Sequence, residues 1–123
     1  MPQGGIGRGE RPIDAALREL HEETAVTQAD YLAETEWLDY EFPPYSGPAD
    51  HRLAKFRGQR QKWFAFRFTG ADDEIDVTAS HNGEPPEFDA WRWERLQRLP
   101  DLVVPFKREV YRQVARAFST FAQ

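Results

Sequence analysis

The chain has 123 residues, a net charge of −5, 40% hydrophobic residues and no cysteine. That length suits one domain with its own core, and the absent cysteine excludes disulfides, thiol nucleophiles and thiolate metal sites. The negative balance excludes holding DNA or RNA by bulk charge, though not a local basic groove. The sequence shows neither an apolar run of about 18 residues nor a signal-peptide pattern, so no membrane association is expected and the cytoplasm is the expected compartment.

The chain opens on a glycine-rich loop, Gly4, Gly5, Gly7 and Gly9. Such a loop turns sharply and brings backbone N–H groups close to an anion, although glycines before a helix also serve simply as a turn. The next stretch predicts a helix from Pro12 to Thr24, with Ile13, Ala16, Leu17 and Leu20 along a core-facing stripe. Glu19, Glu22 and Glu23 fall at i, i+3 and i+4 and form a second stripe. Carboxylates that close repel one another by roughly a few tenths of a kcal/mol per pair in a bare helix. A hard divalent cation reverses that sign, since carboxylate oxygens suit Mg²⁺ or Mn²⁺. The alternative is a solvated acidic face.

Gln28 to Glu34 reads as a turn, and Thr35 to Phe42 as a strand on which Trp37 and Tyr40 cannot share a face. The Pro43–Pro48 stretch breaks regular structure, and the polar segment to Phe56 reads as a loop, either a substrate lid or a solvated connection. Gln59 to Phe68 predicts one strand with Phe64, Phe66 and Phe68 on one face. Its polar entry, Gln59, Arg60 and Lys62, fits a phosphate groove or a solvated strand start. Gly70 to Asp76 is acidic and hairpin-like, Thr78 to Pro86 is a turn-rich loop, and Glu87 to Trp93 reads as a strand with Trp91 and Trp93 on one side. A C-terminal helix is expected from Pro105 to Phe121, with Val110, Val114, Ala117, Phe118 and Phe121 inward. Lys107, Arg108, Arg112 and Arg116 give it a basic face that by composition alone reads as solvated. His21, His51 and His81 have no metal-ligand spacing and receive no role.

Taken jointly, the spacing is specific: Gly4, five residues, Glu10, seven residues, Arg18-Glu19-Leu20, one residue, Glu22-Glu23, one residue, Ala25-Val26. This resembles the Nudix box of the Nudix hydrolases almost position for position. The departure is Ala25, where the family has Gly; a left-handed helix end costs Ala roughly 1 kcal/mol. The later stretches QKWFAF, PPEFDAWRW and VVPFKREVYRQV, in that order, narrow the resemblance to the branch that hydrolyses RNA 5′ pyrophosphate or dinucleoside polyphosphates.

The resemblance implies an α+β fold, a Nudix-type α/β/α sandwich around a central mixed sheet, as one domain over residues 1–123. The strands that precede the box in the family are expected to be missing from this chain. It also implies Glu19, Glu22, Glu23 and Glu87 as ligands for two or more Mg²⁺ (or Mn²⁺) ions, with Glu22, Glu23 and Glu87 catalytic. Glu10 and Arg18 support that site. Gly4, Gly5, Tyr40, Gln59, Lys62, Val104, Phe106 and Lys107 are implied on the substrate side. The implied reaction is metal-dependent hydrolysis of a pyrophosphate bond, on an RNA 5′ end or on a diadenosine polyphosphate. A different class, an inactive truncated module that binds metal or RNA, is the competing expectation.

Overall fold

A computed structural model describes residues 1–44, 57–78 and 88–121. The chain divides into two compact units: residues 1–33 with 64–93, and residues 34–63 with 94–123.

The first unit begins with the glycine loop and α1 (Pro12–Thr24), bounded as expected. Pro12 suits the first helical turn, where its missing N–H has no intrahelical partner to lose. Ala25 ends the helix at φ 62°, ψ 7°, and its N–H donates to His21 O at 2.8 Å. It is the one non-glycine residue at positive φ among the described residues. The buried position on α1 is Ala15, while Ile13, Ala16 and Leu20 are half-buried and Leu17 is 39% exposed. The expected stripe is therefore rotated and only partly covered.

The segment read as a turn contains a strand instead, β1 (Ala29–Glu34), which pairs with β4 (Phe64–Phe68). Ala, Asp and Glu are weak strand formers, and the long-range ladder overrides that local preference. Thr69 N–H donates to Gln28 O at 3.0 Å and Asp76 N–H to Thr24 O at 2.8 Å, fastening this unit beyond the strands. Phe64 and Phe66 stack at 6.4 Å with an 18° interplanar angle, as expected for alternate residues on one face. Asp72–Glu74 form a 3-10 turn rather than a hairpin. Residues 88–93, read as the end of a strand, have no strand partner among the described residues, yet Trp91 and Trp93 do meet edge to face at 5.7 Å.

The second unit holds β2 (Leu38–Glu41) and β3 (Gly58–Gln61), antiparallel with Leu38 opposite Gln61 and Tyr40 opposite Gln59. Gly58 lies against Tyr40 O so closely that a Cβ there would collide with backbone. The single strand expected over Gln59–Phe68 is broken at Lys62 and Trp63. There Trp63 N–H donates to Thr35 Oγ1 (3.1 Å) and Thr35 N–H donates to Trp63 O (2.8 Å). Trp63 also packs edge to face on Tyr111 at 5.2 Å.

The C-terminal segment is a 3-10 turn (Leu96–Arg98), α2 (Leu99–Leu102), a second 3-10 turn (Pro105–Lys107) and α3 (Arg108–Ala117). α3 packs against β2 and α2 through Val110, Tyr111, Val114 and Phe118, all buried. Ala117, the last residue of α3, and Phe121, in the 3-10 end Ser119–Phe121, are exposed although both were expected inward.

Candidate active site

In the first unit the glutamates are organised by one side chain. The Arg18 guanidinium donates through Nε to Glu10 Oε2 (3.0 Å) and through Nη2 to Glu10 Oε1 (3.1 Å). Nη1 donates to Glu19 Oε1 (2.8 Å) and Glu22 Oε2 (3.3 Å), and Nη2 also donates to Gly5 O (2.8 Å). Arg18 therefore ties the glycine loop to the acidic stripe. Paired charges hold their charged forms: the carboxylates push the Arg18 pKa well above its ordinary value, Glu10 foremost. Hydrogen bonds from Arg18 first, and then from Gly7 N–H, hold the Glu10 carboxyl below its ordinary value.

Glu23 points to the loop by another route, with Gln3 N–H donating to its Oε2 at 3.0 Å. Gly4 Cα lies against the Glu19 carboxyl, so a side chain at that position would displace it. Gly9, at φ 76°, lets the loop close, with Glu10 N–H donating to Gly7 O and Gly7 N–H to Glu10 Oε1. The contact from Gln3 was not legible from residue types, because a backbone donor carries no side-chain signal.

The donor set is all oxygen, the chemistry that fits a hard divalent cation. Among the described residues, no group of three or more acidic or histidine side chains is arranged to hold a metal ion. Arg18 Nη1 occupies one oxygen each of Glu19 and Glu22, leaving Glu19 Oε2 and Glu22 Oε1 outside those contacts. Glu87 lies outside the described residues.

In the second unit, four of the substrate-side candidates come together. Tyr40 OH donates to Gln59 Oε1 at 2.6 Å, across the β2–β3 register. The Phe106 ring lies 5.7 Å from Tyr40 and 6.3 Å from Phe42, and the Lys107 ammonium sits 5.8 Å from the Tyr40 ring and 6.0 Å from Phe106. Phe42 joins this cluster although residue type alone did not single it out. Lys62 is engaged elsewhere in the unit, paired to Glu34 at 3.0 Å and 5.9 Å over the Trp37 ring. Val104 is half-exposed just before the 3-10 turn that carries Phe106 and Lys107.

The Nudix domain family matches residues 1–114, and so spans the acidic helix and most of α3. The chain belongs to the Nudix hydrolase family. Its mixed helix and strand content agrees with the α+β class of that fold. The chain is 50% identical over 124 residues to an RNA pyrophosphohydrolase of Rhodopseudomonas palustris, covering 100% of this chain and 70% of that protein. It is 48% identical over 129 residues to an RNA pyrophosphohydrolase of Mesorhizobium japonicum, covering 100% of this chain and 71% of that one. A third, from Brucella anthropi, is 48% identical over 120 residues, 96% of this chain and 68% of its own length. Nudix hydrolases generally use divalent cations, in keeping with the all-oxygen donor set. Among the described residues no helix is long and apolar enough to cross a membrane.

Proposed function

We propose that this Nudix domain, over residues 1–123, hydrolyses the pyrophosphate bonds of a tri- or diphosphorylated RNA 5′ end and leaves a 5′-monophosphate. The observation that carries the reading is the clasp of Glu10, Glu19 and Glu22 around Arg18, which gathers anionic oxygens that a bare helix would spread apart. Relatives at about 50% identity that are named for this activity support it. An RNA substrate supports a cytoplasmic location for the chain.

Glu19, Glu22 and Glu23 are the residues that would hold the cations, with Glu87 as a further ligand or the general base. When bound, two or more Mg²⁺ or Mn²⁺ ions supply charge neutralisation of the polyphosphate and activation of the attacking water. Water attacks phosphorus, the P–O anhydride bond breaks, and pyrophosphate or phosphate leaves, while a carboxylate takes the water's proton. Arg18 and Gln3 N–H orient Glu19, Glu22 and Glu23 for that work. The ring of Phe106 offers a stacking face for the first base, and Lys107 offers a cation for its phosphates. Gly4, Gly5, Tyr40, Gln59, Val104 and Lys62 are the remaining substrate-side residues of the proposal. For Lys62, contact with phosphate requires release from Glu34.

Kinetics of Phe106→Ala on triphosphorylated RNA and on inorganic tripolyphosphate, which has no base to stack, test the assignment. Removing one stacked base is worth about 1–3 kcal/mol, so kcat/KM for RNA should fall roughly 5- to 160-fold while tripolyphosphate hydrolysis changes little. Equal losses on both substrates, or no loss on RNA, would remove the base-stacking role that ties the chain to RNA.

A further inference from the structure

Charge is unevenly distributed along this chain. Residues 94–123 carry six basic and three acidic side chains, a net of +3, whereas residues 1–93 carry a net of −8. The basic excess is ordered. Arg108, Arg112 and Arg116 recur every fourth residue, so they ride one side of α3 with a rise of about 6 Å per step. Lys107 stands immediately before them.

Beside this row lies a shallow groove of about 380 Å³, lined by Gln97, Pro100, Arg112, Ala115, Arg116 and Ser119. Its floor is apolar and its two arginines are well exposed, with side chains 55% and 72% accessible. Both lean on a single carboxylate, Glu109, at 3.5 and 3.6 Å. Exposed pairs of that length contribute little, and one carboxylate cannot neutralise two guanidinium groups. Arg108 adds an unmet donor: its Nε is buried and has no hydrogen-bond partner among the described residues. A buried donor without an acceptor is costly, and Arg108 stands outside the lining of the groove.

We propose that this face of α3 is a track for the RNA chain downstream of its 5′ nucleotide, with Arg108, Arg112 and Arg116 facing successive phosphodiesters. The proposal rests on the reading above, in which Phe106 and Lys107 take the 5′ end at the start of the same helix. Charge complementarity selects the occupant. A polyanion gains from a cationic row in a chain that is otherwise acidic, and the apolar floor accepts ribose and base surface. The track makes affinity depend on RNA length, and it gives dinucleoside polyphosphates nothing beyond the 5′ end.

The test is the Arg112→Gln/Arg116→Gln double variant of the full chain, with two substrates. These are a triphosphorylated dinucleotide and a triphosphorylated single strand of about ten nucleotides, within the span of single-strand sites. The expected result is a roughly ten-fold rise in KM for the longer RNA and no change for the dinucleotide. Every phosphate that the protein ceases to neutralise flattens the salt dependence of binding by about 0.7 in log–log slope. Fluorescence anisotropy with a 5′-hydroxyl RNA of the same length should therefore show a slope smaller by about 1.4 in the double variant. Glu109→Gln, which removes the competing carboxylate, should tighten that RNA.

An unchanged long-RNA KM together with an unchanged salt slope overturns the track while leaving the hydrolase reading intact. A chain that hydrolyses neither substrate, yet binds the 5′-hydroxyl RNA with the arginine-dependent slope, overturns the hydrolase reading and keeps the track.

Discussion

Replacing Ala25 by glycine should stabilise this protein. Ala25 closes α1 in the left-handed region, at φ 62° and ψ 7°. There its Cβ crowds the following carbonyl at a cost of about 1–2 kcal/mol, which glycine does not bear. Against this, glycine frees the unfolded chain and gives back about 0.4–1 kcal/mol. The net gain is about 0.8 kcal/mol at the midpoints of those ranges, or a rise in Tm of roughly 2–5 °C for a chain of this size. The hydrogen bond from residue 25 N–H to His21 O uses only backbone and survives the change. Thermal and urea unfolding of wild type, Ala25→Gly and Ala25→Val read the effect. Glycine should raise the midpoint and valine, β-branched and worse in this region, should lower it. A glycine variant less stable than wild type, or a valine variant equal to it, would refute the left-handed assignment and with it the account of how this helix ends.

Three further outcomes follow from the described contacts. Because Arg18 and Gly7 hold the Glu10 carboxyl below its ordinary 4.5, Glu10 contributes stability that is fully present above that value and lost as pH falls through the lowered one. Urea midpoints measured against pH should therefore drop less steeply below about 4.5 in Glu10→Gln than in wild type, and identical slopes would deny the pairing. Val110 is 1% exposed on the α3 face toward β2 and α2, so Val110→Ala should cost about 1–3 kcal/mol in urea unfolding; a cost under about 0.5 kcal/mol would place that face in solvent. Gln3→Pro removes the N–H that holds Glu23 Oε2, so Mn²⁺ affinity read by electron paramagnetic resonance should fall roughly ten-fold, at the low end of what groups that orient ligands contribute; unchanged affinity would deprive that contact of its role.

Much of this was legible from residue order because the signals were local. Helical periodicity placed α1 at its observed bounds and identified Val110, Val114 and Phe118 as the buried side of α3. The acidic stripe was legible from spacing, and Arg18's place beside it from the resemblance to the Nudix box. What was misread depended on partners far along the chain. β1 looked like a turn because its ladder partner, β4, lies roughly thirty residues on, and long-range pairing decides strands more than propensity does. The break at Lys62–Trp63 is set by Thr35, 28 residues earlier, so unbroken alternation from Gln59 to Phe68 concealed it. The contacts from Gln3 N–H to Glu23 and from Arg18 to Gly5 O engage backbone groups that nearly every residue type possesses.

The central claim is that α1's glutamates serve pyrophosphate hydrolysis at an RNA 5′ end. The most direct test incubates the chain and Mg²⁺ with RNA carrying a labelled γ-phosphate, beside Glu23→Gln. Labelled pyrophosphate or phosphate should be released by the wild-type chain, and the rate should fall by orders of magnitude in Glu23→Gln. Equal release by both proteins, or RNA left intact by the wild-type chain, would contradict it.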